Sequence, residues 1–185
     1  VPDWVQKEWE TDLIINARGV AVDMEFVTGA LYLGNTTRKN LMGEAVQLSG
    51  LDNPNSVSQL TGWLQEEMEE EITDLRKDTV AKLLGREDNS DAVQRMLEIR
   101  QELGKTSTKK YDAIEAAVCP DGRVRGLLQF YGANRTGRWA GRLVQVQNLP
   151  RTYTDPLPLA RDLVKNRIVH ETVHRDDGNK IFVGE

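Results

Sequence analysis

An α+β fold is what the sequence predicts, helices first and a small antiparallel β element after them. Three observations carry this reading. Apolar residues recur at helical spacing, between capping and stop signals, from residue 3 to about 118. A turn signal, Pro120-Asp121-Gly122, then gives way to a β-branched and aromatic run. Finally, 39% apolar against 29% charged residues in a chain of 185 is enough for a core beneath a very polar surface.

The elements follow in order. Trp4, Val5, Trp9, Leu13 and Ile14 lie near one stripe of a helix over residues 3–18, which Gly19 stops. Val20-Ala21-Val22 is a short extended piece, and Asp23 caps a long helix reaching about Leu48, ended by Ser49-Gly50. After the turn chemistry of Asp52-Asn53-Pro54-Asn55, Ser56 caps a helix through Val57, Leu60, Trp63 and Leu64. The block Glu66–Glu71 reads as acidic and solvated, and Asp78–Leu84 as a short helix ended by Gly85. Ser90 to about Val118 has helical spacing with a break near Gly104. Val124–Tyr131 reads as one strand, and Gly132-Ala133-Asn134 as the bend after it. Beyond Pro156 and Pro158 comes a short helical piece. Ile168–Arg175 and Lys180–Val183 then flank Asp176-Asp177-Gly178-Asn179 as a hairpin.

Charge is unevenly spread. Residues 1–98 carry 9 basic and 19 acidic side chains, whereas residues 99–153 carry 10 basic and 4 acidic. From Gly122 to Thr154 there is no acid, yet Arg123, Arg125, Arg135, Arg138, Arg142 and Arg151 all fall there. The acidity of the whole chain argues against a general nucleic-acid coat, and the local arginine field argues for a phosphate-bearing partner at one place. No apolar run approaches the ~20 residues of a membrane span. No secretory signal is expected at Val1-Pro2-Asp3-Trp4, and a start without Met suggests a cut-out or processed piece. The single cysteine, Cys119, fits a reduced thiol.

Two constellations are equipped for chemistry. His170-Glu171-Thr172-Val173-His174 is a literal H-E-x-x-H, which on a helix binds zinc through its two imidazoles with the glutamate as general base. Its β-branched flanks favour a strand, where His170 and His174 would stand roughly 13 Å apart, too far for one zinc. A zinc metallopeptidase is therefore the alternative reading, and a non-catalytic protein-interaction module a further one. The second constellation runs from Asn134 to Arg151. Arginines and carboxamides alternate with glycines there. Guanidinium forks suit phosphates and base acceptors, and amides suit groove edges. Because minor-groove acceptors are nearly alike for all base pairs, such equipment suits reading a duplex without regard to sequence.

That second segment resembles the T-G-R…N-L-Q-N-I-P signature of family A DNA polymerases in their phage or prophage form. The match is ungapped from Thr136-Gly137-Arg138 to Gln147-Asn148-Leu149-Pro150. Upstream, Arg18–Asp23 resembles the family's N/R-G-V-x-x-D, and Asn55–Leu60 its N-x-x-S-x-x-Q-L. Glu98-Ile99-Arg100 with Lys105–Thr108 is similar to the long thumb helix and its end, and Asp121–Val124 to D-G-R-V. The resemblance covers about residues 3–160 and implies three regions. These are a helical thumb-like region at 1–118, a β element with a DNA-contacting segment at the palm entrance at 119–166, and a tail of unassigned origin at 167–185.

Residue by residue, the resemblance implies that Arg138 reaches the minor groove at the primer end. Gln147 and Asn148 would contact the duplex nearby, with Gln145 where the family often has Asn. Lys105, Ser107 and Thr108 would touch phosphates at the thumb tip, with Lys109 and Lys110 adding charge. Thr136 and Arg142 belong to the same DNA-binding set. The catalytic carboxylates and the lysine-rich fingers helix of the family are not in this sequence, so no catalytic residue is assigned and no activity is expected of the chain alone. No cofactor is expected in this chain, and Mg2+ only for the complete polymerase. The implied partners are primer–template duplex DNA and the missing fingers and palm, and no membrane. The implied location is the cytoplasm of a bacterial cell or phage-infected host.

Overall fold

The computed structural model describes residues 1–105, 109–148, 156–168, 172–174 and 180–182, the last two stretches and Gln147 by their backbone alone. The chain forms two compact units, one of Val1–Leu33 with Thr108–Glu185, the other of Gly34–Ser107. Seven α-helices and three two-stranded antiparallel sheets make up the described residues, an α+β fold as predicted.

In the first unit, α1 spans Asp3–Arg18 and ends where Gly19 adopts φ 65° and donates its N–H to the Ile15 carbonyl at 2.9 Å. Strand β1, Val20–Ala21, pairs antiparallel with β2, Arg123–Val124, in the register Val20↔Val124 and Ala21↔Arg123. Helix α2, Met24–Ser49, starts in this unit. The Asp23 carboxylate accepts from the Phe26 N–H at 3.1 Å at its N-terminus. Lys165 beside that carboxylate, at 2.7 Å, is the main cause holding its pKa below the ordinary value. Helices α6, Lys109–Ala117, and α7, Leu157–Lys165, complete the helical part. Gly29 of α2 meets α7 at backbone distance: a Cβ there would stand 2.1 Å from the Val164 carbonyl oxygen. A small core of Val124, Leu127 and Val144, with Val22, Ile114, Ala117 and Val118 against it, underlies the β elements.

Strand β3, Leu128–Ala133, is hung from α1 by one side chain. Asn16 donates to the Leu128 carbonyl and accepts from the Leu128 N–H, both at 3.0 Å, as a neighbouring strand would. The buried Asp12 accepts from the same Asn16 amide through Oδ2. The expectation of a single strand over Val124–Tyr131 is corrected. Gly126, at φ 67°, breaks it, so that β2 pairs back to β1 while β3 pairs forward to β4, Arg138–Gly141. The bend expected at Gly132–Asn134 is shifted as well, because β3 runs to Ala133 and the turn is Asn134–Gly137. Near the C-terminus β5, Thr172–His174, pairs with β6, Lys180–Phe182, in the hairpin arrangement expected there.

The second unit packs the latter part of α2 with α3, Val57–Met68, α4, Lys77–Leu84, and α5, Asp91–Leu103. Ser56 and Ser90 cap α3 and α5, accepting from the N–H groups of Gln59 and Val93, which satisfies donors the helices leave unpaired. Leu60, Leu64, Val93, Met96, Leu97 and Ile99 are almost wholly buried in its core. A two-pronged ion pair ties α5 to α2, with Arg95 Nε and Nη2 at 2.6 and 2.8 Å from the Glu44 oxygens. The block Glu66–Glu71 is not solely solvated, since Glu70 pairs with Arg86 at 2.5 Å.

Candidate nucleic-acid interface

The β3–β4 hairpin is built to project its turn. Leu128 faces Gly141 and Gln129 faces Ala140, but the next pairing is Ala133 with Arg138, so a bulge interrupts β3. Tyr131 sits in that bulge at φ 52°, and its ring closes over Gly137, where a Cβ would fall 2.7 Å from Cε2. Gly132 lies as tightly on Ala140, since a Cβ there would fall 2.5 Å from that methyl. Thr136 and Gly137 both donate to the Ala133 carbonyl, at 3.0 and 2.9 Å, which fixes the turn. Arg135, Thr136 and Arg138 are left exposed on a backbone that is itself held.

The chain then returns to the core in steps. The Arg142 N–H donates to the Leu127 carbonyl at 2.8 Å, and Val144 is buried beside Val124 and Leu127. On either side of Val144, Leu143 and Gln145 adopt φ 53° and 50° and are exposed. Left-handed conformation in non-glycine residues costs of order 1 kcal/mol or more and persists only where the surroundings enforce it, most often at functional positions. Here the buried Val144 lies between the two, and Leu143 and Gln145 both face outward. A short 3₁₀ turn, Val146–Asn148, follows, with the Asn148 amide donating to Gln145 Oε1 at 3.0 Å. Lys110 of α6 donates Nζ to the Asn148 carbonyl at 3.0 Å, so its ammonium pins this turn.

The arginine field divides in two. Arg123 donates to the Arg18 and Gly19 carbonyls, at 2.7 and 3.2 Å, and Arg125 to the Ala17 carbonyl at 2.8 Å. Both neutralise the negative end of α1, whose last carbonyls lack helical partners. Arg125 also grips both oxygens of Asp121, at 2.9 and 2.6 Å, and holds that carboxyl down to about 2. By contrast, Arg135, Arg138 and Arg142 have no carboxylate within 4.0 Å among the described residues. Arg142 Nε donates to the Gln129 amide oxygen, at 3.1 Å.

Of the residues predicted from the sequence, the hairpin and 3₁₀ turn bring Thr136, Arg138, Arg142, Gln145 and Asn148 onto one segment of the first unit, all exposed. Lys109 begins α6 and is exposed, and Lys105, in the second unit, pairs with Glu102. Ser107, Thr108 and the Gln147 side chain lie outside the described residues, as do His170 and Glu171. His174 belongs to strand β5 rather than to the helix that H-E-x-x-H needs. Among the described residues no three His, Cys, Asp or Glu side chains gather to hold a metal ion, and no helix is long and apolar enough to cross a membrane. Tyr131 is what sequence reasoning missed, and Lys110, read only as added charge, is found on the Asn148 carbonyl. A tyrosine six residues before Gly137 gives no local sign of covering it.

A DNA polymerase of Bacillus phage SP02 is 52% identical to this chain over 159 residues, 86% of its length. The chain is related to a phage DNA polymerase. It spans 24% of the length of that SP02 polymerase, and the resemblance read from its motifs agrees with the match. No protein-family model and no solved structure matches the chain.

Proposed function

We propose that the chain acts as the duplex-gripping part of a family A DNA polymerase, holding template–primer DNA while other segments carry out nucleotidyl transfer. The single observation that carries this reading is the exposed row of Arg135, Arg138 and Arg142. Among the described residues none of the three has a carboxylate within 4.0 Å, whereas Arg86, Arg95 and Arg125 do, and the exposed Gln145 and Asn148, their amides joined, follow on the same segment. Guanidinium forks without carboxylate partners, on and beside a held hairpin, suit phosphates and minor-groove acceptors. The linked amides present donors and acceptors to the same surface.

In this role Arg138 approaches the minor groove, Asn148, Gln147 and Gln145 its base edges, and Arg142 and Thr136 the backbone. Lys105, Ser107, Thr108 and Lys109 add phosphate contacts from a thumb-like region. The chain contributes no catalytic group of its own. Mg2+ belongs with the carboxylates of the complete polymerase. The partners are primer–template DNA and the fingers and palm, in the cytoplasm of a bacterial or phage-infected cell. Fluorescence anisotropy with a primer–template hairpin at low salt tests the proposal. Micromolar binding that weakens on Arg138→Ala is expected, and binding unchanged by that substitution overturns it.

A further inference from the structure

Arg138 stands at the far end of a hairpin whose ladder does not reach it unbroken. Leu128 with Gly141 and Gln129 with Ala140 form one stretch of pairing. Ala133 with Arg138 stands apart from it, because residues 130–132 of β3 are set against Trp139 alone. Beyond the bulge, that one pair and the Thr136 and Gly137 N–H groups on the Ala133 carbonyl are what the backbone supplies to anchor an exposed turn. The Arg138 guanidinium has no carboxylate within 4.0 Å among the described residues, so its aim depends on the backbone beneath it.

Tyr131 reaches from that bulge to that turn. Its φ of 52° puts a bulky residue in the left-handed region, which costs free energy and persists only where the surroundings hold it. The surroundings do so on two sides. The next residue, Gly132, is pressed against the Ala140 methyl, and the Phe130 ring stands 6.0 Å from the tyrosine ring at 55°. The outer edge of the tyrosine ring lies along Gly137, where a Cβ would meet Cε2, Cζ and Oη at 2.7, 3.0 and 3.2 Å. Gly137, itself at φ 65°, directly precedes Arg138. We propose that Tyr131 is a positioning residue, whose ring locks the Asn134–Gly137 turn and so presets Arg138 before DNA arrives. This rests on the duplex-gripping reading and adds to it a residue that acts through Arg138 rather than on DNA. The contact is one of shape, made by the ring edge, so phenylalanine serves as well as tyrosine.

Anisotropy of a primer–template hairpin with the full chain at low salt tests it, together with amide exchange of the same chain free of DNA. Tyr131→Asn removes the ring yet leaves a residue that tolerates the left-handed region. It is expected to weaken binding about fivefold, the cost of ordering on the duplex a turn that was held beforehand. Tyr131→Phe is expected to bind as the parent chain does. In an Arg138→Ala background, Tyr131→Asn is expected to change binding by less than about twofold, because the two residues act as one. Exchange at the Thr136 and Gly137 amides is expected to accelerate in Tyr131→Asn and not in Tyr131→Phe, while the Leu128 amide, held by Asn16, keeps its rate. Gly137→Ala sets a methyl against the same ring edge and is expected to repeat both effects from the other side of the contact. An equal loss with and without Arg138, the signature of a ring that meets DNA itself, overturns the proposal, as does unchanged exchange at the turn. Arg138→Ala binding like the parent overturns the duplex grip and this proposal with it. Arg138→Ala weakened beside Tyr131→Asn at parent affinity overturns the positioning role alone.

Discussion

Six arginines in an acid-free stretch look equivalent along the chain, yet the five described ones have opposite surroundings, and salt dependence separates the two groups. Each phosphate contact releases condensed counterions, so log K falls with log salt at a slope of about −0.9 per contact. Arg135, Arg138, Arg142 and Lys109 are exposed, with no carboxylate partner among the described residues. If all four meet phosphates, the slope is about −3.6, and raising salt from 50 to 200 mM weakens duplex binding on the order of 150-fold. Arg142→Gln is expected to bring the slope to about −2.7, or roughly a 40-fold loss over the same interval. Arg125→Gln is expected to leave it near −3.6, since that guanidinium is already committed to Asp121 and the Ala17 carbonyl. The assay is anisotropy of a labelled primer–template hairpin at four or five salt concentrations, with circular dichroism confirming that each variant is folded. Equal slopes for Arg142→Gln and the parent chain, or a larger drop for Arg125→Gln than for Arg142→Gln, would refute the division of the arginine field.

Other predictions follow from packing and titration. Gly29→Ala places a methyl 2.1 Å from the Val164 carbonyl oxygen, so α7 must give way. A cost of about 1–3 kcal/mol, lowering Tm by several degrees in a thermal melt, is expected, and an unchanged Tm would mean that α7 is not packed there. Asn16→Ala removes two hydrogen bonds to Leu128 and leaves its backbone groups unpaired, at about 1–3 kcal/mol. Hydrogen exchange at the Leu128 amide is expected to accelerate accordingly. Arg125 holds the Asp121 carboxyl near 2, below its unfolded value of 3.8. The pair's contribution to stability is therefore complete above about pH 4 and lost as pH falls through 2. A ¹³C titration of the Asp121 carboxyl with its midpoint near 3.8 would show that the ion pair does not form.

The helices were legible because their signals are local. Asp23, Ser56 and Ser90 stand directly before the turns they cap, and Gly19, Gly50 and Gly85 directly after the helices they end. The β elements were less so, since pairing depends on partners far along the chain. Nothing near Val124 shows that it will lie against Val20, and only the left-handed conformation of Gly126 reveals where one apparent strand becomes two. The site was half legible. Arg138, Gln145 and Asn148 stand out by residue type, but Arg123 and Arg125 have the same type and serve the end of α1 instead. Tyr131 and Lys110 shape the site through contacts the sequence does not announce, a ring over Gly137 and an ammonium on the Asn148 carbonyl.

Because residues 34–107 interrupt the first unit, synthesis imposes an order on folding. A growing chain can complete the middle unit while Arg123 and Val124 are still unmade, leaving Val20 and Ala21 waiting for them. Closing a loop of about a hundred residues is entropically costly when that loop is slack, and far less so once most of it has condensed into a folded insert. Maturation of the arginine hairpin thus follows that of the middle unit, and pulse-labelled nascent chains should acquire protease resistance in residues 34–107 before the flanking segments.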